Sequence, residues 1–548
     1  MSNGELLRNA LEHHKNGDFE KAIDIYTNLL KKNTDPQILN FLALSFKSLG
    51  DYDSALTHLN RAIELSPNFV EAIANSGIIM NAIGHTDKAI KAYQKAISLS
   101  PNLPAPYFNL AKLLQSKSDY DKAIVCYKKA LELDPSLHDA YPNLAYIYAA
   151  KKSPIKAIGF YIKAIELLPT NAELYNNLGV VLFDNGNINE SIECYRKAIE
   201  IDPNYASAYY NLGNSLRAIK DIEEAIECYK HAITNDNSLS YAHWNLAILL
   251  LLTGRFDEGW KEYEWRWELK DYITNRNFIQ PLWDGRDIKG QTILLHAEQG
   301  LGDAIQFIRY IPSIAEKGVR IIIECQKELV SLFSSSENIE SITVQGERLP
   351  PFDIHCPFLT IPYIFKTTNE NIPTKVPYLS ADNSLIQKWS ALAGIDKNRF
   401  NIGIVWAGNP KNANDKVRSL SLDLFAPLSE LKNIQFYSLQ KGEASAQINT
   451  RSLAIKDLTS EIQDFSDTAA LIMNLDLIIS VDTAVAHLAG ALAKPVWLLI
   501  PPIPDWRWQL NKDDSPWYPT MKLFRGYKEG EWADVVEKIK NELSSRQK

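Results

Sequence analysis

The chain has 548 residues, of which 46% are hydrophobic and 23% charged, and 66 acidic against 58 basic side chains give a net charge of -8. These values exclude a largely disordered or collagen-like protein, and at about 150 residues per domain they predict three or four packed units. The acidic balance argues against a protein that coats nucleic acid, so we expect no nucleic-acid partner.

The cysteines and the hydropathy pattern bear on the compartment and on metals. The five cysteines form no CxxC pair, which is typical of a reducing compartment and predicts no structural zinc. The chain starts without an apolar secretory segment and contains no apolar run long enough to cross a membrane. We therefore expect a cytoplasmic protein with no membrane span and no structural zinc. A bound metal or cofactor is not expected either.

The first half of the chain is a repeat array. Blocks of the form A-I-x-x-Y-x-x-A, such as AIKAYQKA and AIVCYKKA, lie between prolines that recur at a step of 34 residues. Each block predicts an amphipathic helix, and small residues in the helix before it allow helix pairs to stack into an α-solenoid. The pattern resembles the tetratricopeptide repeat, in about eight units over residues 1–270. The periodic prolines are Pro67, Pro101, Pro135, Pro169 and Pro203.

One polar position recurs in the first helix of six successive repeats. It carries asparagine each time: Asn75, Asn109, Asn143, Asn177, Asn211 and Asn245. An amide has a donor and an acceptor at one tip, so a row of amides on the concave face is suited to bind the backbone of an extended peptide. Hydrogen bonding between neighbouring helices is the alternative. The row resembles the asparagine ladder of O-GlcNAc transferases, which implies a protein acceptor.

The 34-residue period stops near residue 270, after a tryptophan-rich segment that we expect to pack against the next domain. Apolar β-type runs then alternate with helical stretches, and a proline-rich stretch between two series of them is predicted to be connecting structure. Alternating elements build parallel sheets covered by helices. We predict two Rossmann-like halves, residues 271–385 and 386–548, across a cleft. The predicted strands are TILLHA, RIIIEC, SITVQG, NIGIVWAG, QFYSLQ, LDLIISV and PVWLLI.

The first candidate site is the loop HAEQGLGDA after the strand TILLHA. Gly300 and Gly302 permit a sharp turn into a helix whose first turn carries Asp303. The spacing fits neither the dinucleotide fingerprint nor the Walker A loop. Asp303 is either an acid favoured by the helix dipole or, in a cleft, a general base for an acceptor hydroxyl.

The second candidate site is the segment DTAVAHLAG after the strand LDLIISV. Asp482 or Thr483 caps a helix whose first N–H groups, beginning at Ala484, favour a bound phosphate. His487 lies one turn further on the face of Thr483, in reach of a phosphate or sugar oxygen. A packed, structural histidine is the alternative for His487.

Two further strand ends carry polar side chains. The loop WAGNPKNANDKVRS contains Asn409, and in it Lys416 and Arg418 are placed to neutralise a leaving phosphate. In SLQKGEA, Gln440 and Glu443 are candidates for contacts with a base or a ribose. The chain has no HExxH, DxD or GxSxG motif, so neither metal chemistry nor a Ser-His-Asp hydrolase is indicated.

A family resemblance adds to these candidates. PLWDG, HAEQGLGDAIQFIRY, GIVWAGNP, DKVRSLSL, LDLIISVDTAVAHLAG, DWRW and SPWYPTMKLFR, in this order, resemble the ADP-heptose:lipopolysaccharide heptosyltransferases. The resemblance implies a GT-B fold with the acceptor in the first half and the nucleotide sugar in the second. It implies that Asp303 is the base and that the donor and its phosphate are bound by Asp482, Thr483, His487, Lys416 and Arg418, with Glu443 at the ribose.

Together the repeats and the resemblance predict a metal-independent, inverting glycosyltransferase. It is expected to move a sugar from a nucleotide-sugar donor to a Ser or Thr hydroxyl of a protein held by the repeats. Flagellin-modifying enzymes resemble this layout, which makes a flagellin-like acceptor one expectation. Two alternatives stay open: a catalytically inactive repeat scaffold, and a transferase that acts on a glycan or lipid. The sugar, the nucleotide and the oligomeric state are left open.

Overall fold

The structure is a computed structural model of the chain. It describes residues 2–270, 272, 276, 278–412, 414–450, 453–528 and 530–546. The chain forms two compact units, Met1–Ile219 and Lys220–Lys548. None of the helices in the described ranges combines the length and the apolar composition that crossing a bilayer requires.

The repeat array consists of paired helices, as the 34-residue period predicts. Helices α1 to α13 belong to the first unit and α14 to α16 to the second. The predicted α-solenoid is confirmed, with two helices per repeat. The helices are α1 Asn3–Lys15, α2 Phe19–Leu30, α3 Pro36–Ser48, α4 Tyr52–Leu65, α5 Val70–Ala82, α6 Thr86–Leu99, α7 Pro104–Ser116, α8 Tyr120–Leu133, α9 Ala140–Ala150, α10 Pro154–Leu167, α11 Ala172–Asp184, α12 Ile188–Ile201, α13 Ala206–Ala218, α14 Ile222–Asn235, α15 Ser240–Leu252 and α16 Phe256–Tyr263.

Small residues set the spacing of the two helices within a repeat. A Cβ atom on Gly179 of α11 would lie 2.6 Å from the ring of Tyr195 in α12, closer than carbon atoms approach. Gly77 and Tyr93 stand in the same relation in an earlier repeat, at 2.9 Å. Both tyrosine side chains are buried. The tyrosine of the A-I-x-x-Y-x-x-A block therefore fills the space that the small residue leaves.

The first α/β half contains a parallel sheet with the strand order β3-β2-β1-β4. The prediction of connecting structure for the proline-rich stretch is wrong at β4. Ile354 pairs with Ile293 of β1 and is buried, and Pro357 ends the strand instead of interrupting its hydrogen bonds. The strands are β1 Thr292–His296, β2 Arg320–Cys325, β3 Ser341–Val344 and β4 Ile354–Pro357. The helices are α17 Leu301–Phe307, α18 Ile311–Ala315, α19 Val330–Phe333 and α20 Ile361–Ile364.

The second half contains a parallel sheet with the strand order β10-β9-β8-β5-β6-β7. This order reverses direction between β5 and β8, where a crevice opens at the carboxyl ends of the strands. Two parallel sheets with covering helices confirm the predicted GT-B fold class, although β7 and β10 were not among the predicted strands. The strands are β5 Phe400–Val405, β6 Ile434–Ser438, β7 Ile455–Asp457, β8 Leu477–Val481, β9 Val496–Ile500 and β10 Met521–Arg525. The helices are α21 Asn383–Ala393, α22 Asp415–Arg418, α23 Phe465–Met473, α24 Ala484–Ala491 and α25 Ala533–Arg546.

The last helices of the array pack on the α/β domain. The indole of Trp260 in α16 donates a hydrogen bond of 2.9 Å to the carbonyl of Thr367, and its ring lies 5.2 Å from that of Trp506. Trp265 instead stacks on His243 within the repeats, at 3.7 Å. The second compact unit therefore includes α14 to α16, and the predicted boundaries at residues 270 and 385 stay predictions. Short 3-10 helices occupy Glu264–Glu268, Ile308–Tyr310, Lys327–Leu329, Phe358–Thr360, Leu422–Glu430, Glu443–Thr450 and Trp506–Trp508.

Candidate active site

A cleft of about 1610 Å³ lies at the carboxyl ends of strands from both sheets of the second unit. Loops after β1, β5, β6, β8 and β9 line it, as expected for ligand sites of parallel α/β sheets. In the part of the chain that the structure describes, no three His, Cys, Asp or Glu side chains cluster as a metal site requires. The predicted site residues that line the cleft are Asp303, Asn409, Arg418, Gln440, Glu443, Asp482, Thr483, Ala484 and His487.

Asp303 stands in the first turn of α17, on the wall of the first half. Its Oδ2 accepts a hydrogen bond of 2.9 Å from the Gly300 N–H, so it supports the start of the helix. Its Oδ1 lies 2.5 Å from Nη2 of Arg507, and its side chain is 18% exposed. Burial raises the pKa of the Asp303 carboxyl, and Arg507 opposes this rise. Asp303 is thus a helix-start acid that also lies in the cleft, and its role as a general base stays a prediction.

Arg507 is the functional candidate that the sequence did not single out. It lies in the 3-10 helix Trp506–Trp508 that follows β9. Its Nη1 is 2.8 Å from an Asp505 oxygen, and its Nε donates to the side-chain oxygen of Gln306 at 2.6 Å. Its guanidinium carbon lies 4.2 Å from the centre of the Trp506 ring. The available signal was the motif DWRW, an arginine between two tryptophans and two residues after an aspartate.

The start of α24 presents N–H groups to the cleft. Thr483 is its N-cap, with extended backbone angles (φ -145°, ψ 166°). Ala484 and Val485 follow on the cleft wall, and within the described residues their N–H groups have no hydrogen-bond acceptor. A Cβ atom on Gly302 would lie 2.9 Å from Cδ2 of His487, so α17 and α24 nearly touch. The cleft therefore brings Asp303 close to a helix start that favours an anion.

His487 is a buried, neutral imidazole. Its Nδ1 is 2.9 Å from the Tyr518 hydroxyl, and its ring stacks on Trp508 at 5.3 Å. Burial, together with the positive charge of Arg507, holds the pKa of His487 well below its ordinary value. Its Nε2 is 3.9 Å from an oxygen of Asp482, beyond hydrogen-bond distance. Burial raises the pKa of Asp482 to about 6.

The loop after β5 places Arg418, and not Lys416, on the cleft. In the single turn of α22, Arg418 lies on the side of Asp415, with 3.4 Å between its Nε and Oδ1 of Asp415. Lys416 is exposed and does not line the cleft. The physical reason is helical phase, because residues one and three positions along a turn point in different directions. Lys411 of the same loop lines the cleft.

Gln440 lines the cleft with its polar atoms already bonded to the backbone. Its Oε1 accepts from the N–H groups of Trp406 (3.1 Å) and Ala407 (2.8 Å), and its Nε2 donates to the carbonyl of Lys441 at 2.9 Å. The residue therefore supports the loop after β5. Asn409 and Glu443 are exposed on the cleft wall, and Asn409 accepts the Lys411 N–H at 3.0 Å.

The six repeated asparagines are all half-buried. Nδ2 of Asn75 donates to Asn40 at 2.9 Å, and Nδ2 of Asn211 donates to Asn176 at 2.9 Å. Asn143 donates to the carbonyl of Asp139 at 2.6 Å. Helix-to-helix bonding, the alternative that the sequence left open, thus applies to part of the row. Asn109 makes no side-chain hydrogen bond to the residues that the structure describes.

Different family models match the repeat array and the second α/β half. Tetratricopeptide-repeat models match residues 7–68, 77–118, 104–137, 160–193, 181–219 and 206–238. A model described as glycosyltransferase family 9 (heptosyltransferase) matches residues 434–534. This segment contains Glu443, His487 and Arg507, whereas Asp303 and Arg418 precede it.

Individual proteins resemble parts of the chain. Protein FlbA of Caulobacter vibrioides is 25% identical over 328 residues, which are 54% of each chain. Photosystem I assembly protein Ycf3 of Acaryochloris marina is 32% identical over 81 residues, 14% of this chain and 49% of that protein. The chain therefore spans about half the length of the curated relatives it matches. The crystal structure of YrrB, "a TPR protein with an unusual peptide-binding site", is 23% identical and covers 34% of this chain and 95% of its own, at a TM-score of 0.32.

Proposed function

We propose that this chain, which joins tetratricopeptide repeats to a C-terminal glycosyltransferase family 9 domain, transfers a sugar from a nucleotide-sugar donor to a Ser or Thr hydroxyl of a protein. The observation that carries the proposal is the composition of one cleft. Asp303 stands on one wall, and the start of α24 and Arg418 stand on the other. Transfer to a hydroxyl requires both, a base for the incoming alcohol and positive potential for the departing phosphate.

In the proposed step the hydroxyl oxygen forms a bond to the anomeric carbon of the sugar as the bond from that carbon to the phosphate oxygen breaks. Asp303 takes the hydroxyl proton. The nucleotide leaves with the electron pair, and its phosphate charge is stabilised by Arg418 and by the N–H groups of Ala484 and Val485. Direct displacement inverts the anomeric centre. The step as written needs no metal ion, because these groups take up the phosphate charge.

Donor binding is the first test, with the full chain and four probes: ADP-glucose, UDP-N-acetylglucosamine, GDP-mannose and CMP-sialic acid. We expect one nucleotide class to raise the thermal midpoint, because a ligand at 100 times its Kd adds about 2.7 kcal/mol of stability. Arg418→Ala is expected to weaken that donor about 10- to 100-fold, since hydrogen bonds to charged groups are worth about 1.5–3 kcal/mol. Titration of the midpoint against donor concentration measures both effects.

Lys416→Ala is the matched control for Arg418→Ala, because it removes a cation of the same four-residue helix that does not line the cleft. If Lys416→Ala weakens the donor as much as Arg418→Ala does, the assignment of Arg418 fails. If none of the four probes shifts the midpoint, the catalytically inactive scaffold replaces the proposed transferase.

For the acceptor, we propose that the repeats hold an extended segment of the protein through side-chain amides such as Asn109. Asn109→Ala is expected to raise the KM for a glycosylated acceptor protein about 2- to 10-fold, the worth of one neutral hydrogen bond. The kcat and the donor affinity are expected to stay unchanged. Initial rates with a protein that mass spectrometry shows to be modified on co-expression measure this change.

The control for Asn109→Ala is Asn81→Ala, which removes an exposed amide of helix α5 outside the recurrent position. Equal KM values for the two variants would count against peptide binding by the row. Transfer to a glycan or lipid with no transfer to protein would replace the protein acceptor.

A further inference from the structure

The contact between Asp303 and Arg507 links the two halves of the cleft. Asp303 belongs to α17 of the first half, and Arg507 follows β9 of the second, 204 residues further along the chain. The Arg507 side chain is 8% exposed, and the Asp303 side chain is 18% exposed. An ion pair that is this well shielded from water interacts strongly.

The orientation of the guanidinium is fixed by three directed contacts and one stacking contact. Nη2 points to Asp303, Nη1 to Asp505 and Nε to the side-chain oxygen of Gln306, which is itself fully buried. The guanidinium carbon lies over the Trp506 ring. A planar fork with these contacts holds its partner oxygen in one direction, which a lysine ammonium does not reproduce.

Among the charged groups around Asp303, Arg507 is the cation that keeps the pKa of Asp303 from rising further. Burial and the neighbouring acids raise the pKa of Asp303, and Arg507 acts in the opposite direction. Without its cation, a buried carboxyl takes up a proton and loses its function as a base. The titratable and charged groups that face Asp303 are Arg507 and Asp505 after β9, Glu298 before α17, Tyr263 of α16 and the neutral His487 of α24.

We propose that Arg507 is a positioning residue, which acts from the donor half to orient Asp303 and to hold it as a carboxylate. The inference rests on the proposed role of Asp303 as the base. Asp505 acts against this effect, because it also pairs with the Arg507 guanidinium and its negative charge raises the pKa of Asp303.

The test titrates Asp303 directly and needs no sugar donor. The full chain is labelled with aspartate that carries ¹³C in the side-chain carboxyl, and infrared spectra are recorded from acidic to neutral pH. Subtraction of the Asp303→Asn spectrum isolates the carboxyl band of residue 303. In Arg507→Gln we expect the midpoint of this band to rise by at least about one pH unit, as loss of an adjacent cation predicts. In Asp505→Asn we expect it to fall.

Arg525→Gln is the matched control. It removes a partly buried arginine of the same half, which bonds to the backbone carbonyls of Pro502, Gln509 and Lys512. In Arg525→Gln, the titration midpoint of the Asp303 carboxyl band is expected to equal that of the unaltered chain. Opposite shifts in the Arg507 and Asp505 variants support the proposal, since general damage to the fold does not move one midpoint in both directions.

An unchanged midpoint in Arg507→Gln overturns the inference. If Arg507→Gln does not fold, Asp505→Asn decides alone, and an unchanged or raised midpoint there overturns the inference. The proposed function fails separately, if Asp303→Asn transfers sugar at the full rate, whatever the infrared midpoints are.

Discussion

Replacement of Asp303 by asparagine is expected to lower turnover by about 10²- to 10⁴-fold, the usual contribution of a general base. Asparagine has the shape of aspartate, and its oxygen can still accept a hydrogen bond from the Gly300 N–H or from Arg507. It cannot take the proton of an attacking hydroxyl. The KM for the donor is expected to change little, because the groups proposed to bind the donor phosphate are Arg418 and the N–H groups of Ala484 and Val485, and Asp303 is not one of them.

Nucleotide release, followed with the donor that the thermal screen selects, measures this loss. The sign of the pH dependence follows from the raised pKa of Asp303. The base works only when it is ionised, so turnover of the unaltered chain falls as the pH drops toward that raised pKa, and it begins to fall at a higher pH than the ordinary value of 3.8 implies. The residual turnover of Asp303→Asn is expected not to show this fall at low pH, because the variant has no carboxyl at position 303.

Glu328→Gln is the control, since Glu328 is another carboxylate of the first half that lines the same cleft. We expect it to retain nearly full turnover, because it is exposed and has no arginine partner among the described residues. Equal losses in the two variants, or full turnover in Asp303→Asn, would contradict the assignment of Asp303. A melting temperature near that of the unaltered chain shows that the fold is retained.

The sequence predicts the architecture well because the governing patterns are local. A proline every 34 residues and a tyrosine opposite a small residue are sufficient for paired helices, and apolar runs followed by glycine or acid are sufficient for most strands of both sheets. The same logic places Asp303 and Thr483 at one cleft, since each follows a strand of a different sheet, and ligands bind at the carboxyl ends of the strands in both halves.

The features that the sequence does not reveal depend on contacts between residues far apart in the chain or on the phase of a helical turn. Arg507 reaches Asp303 across 204 residues, and no spacing rule pairs positions so far apart. Lys416 and Arg418 look equivalent in a loop, and the phase of the single turn α22 separates them. Gln440 is predicted at the cleft and lies there, yet backbone N–H groups of the neighbouring strand end already bind its oxygen.

A second large effect is expected where the last repeat meets the α/β domain. Arg266, in the 3-10 helix Glu264–Glu268, is fully buried and contacts the fully buried Glu298 at 2.9 Å. Glu298 stands two residues after β1, at the start of the loop that leads to Asp303. Arg266→Met is expected to lower the free energy of unfolding by about 3–5 kcal/mol, because it leaves a buried carboxylate without its cation.

Tryptophan fluorescence in a urea titration measures this loss of unfolding free energy in the second compact unit, which contains Arg266. All 12 tryptophans lie between Trp244 and Trp532, inside the second compact unit, so the signal follows the unfolding of that unit alone. Arg255→Met is the control, since Arg255 pairs with Glu223 at the surface of the same unit, where an ion pair contributes about 0–1 kcal/mol.

The double variant Arg266→Met with Glu298→Gln separates the charge from the shape of the side chain. The Leu359 N–H and the Tyr272 hydroxyl bond to different oxygens of Glu298, at 3.2 Å and 2.8 Å. The single oxygen of glutamine can still accept the Leu359 N–H, and its Nε2 can donate to the Tyr272 hydroxyl oxygen. With the carboxylate removed, no buried charge is left uncompensated at this position, so the double variant is expected to be more stable than Arg266→Met alone. A double variant that is less stable than either single variant would mean that lost packing, and not the isolated charge of Glu298, causes the effect. Recovery would instead establish that the end of the repeat array supplies the cation on which the Asp303 loop is built.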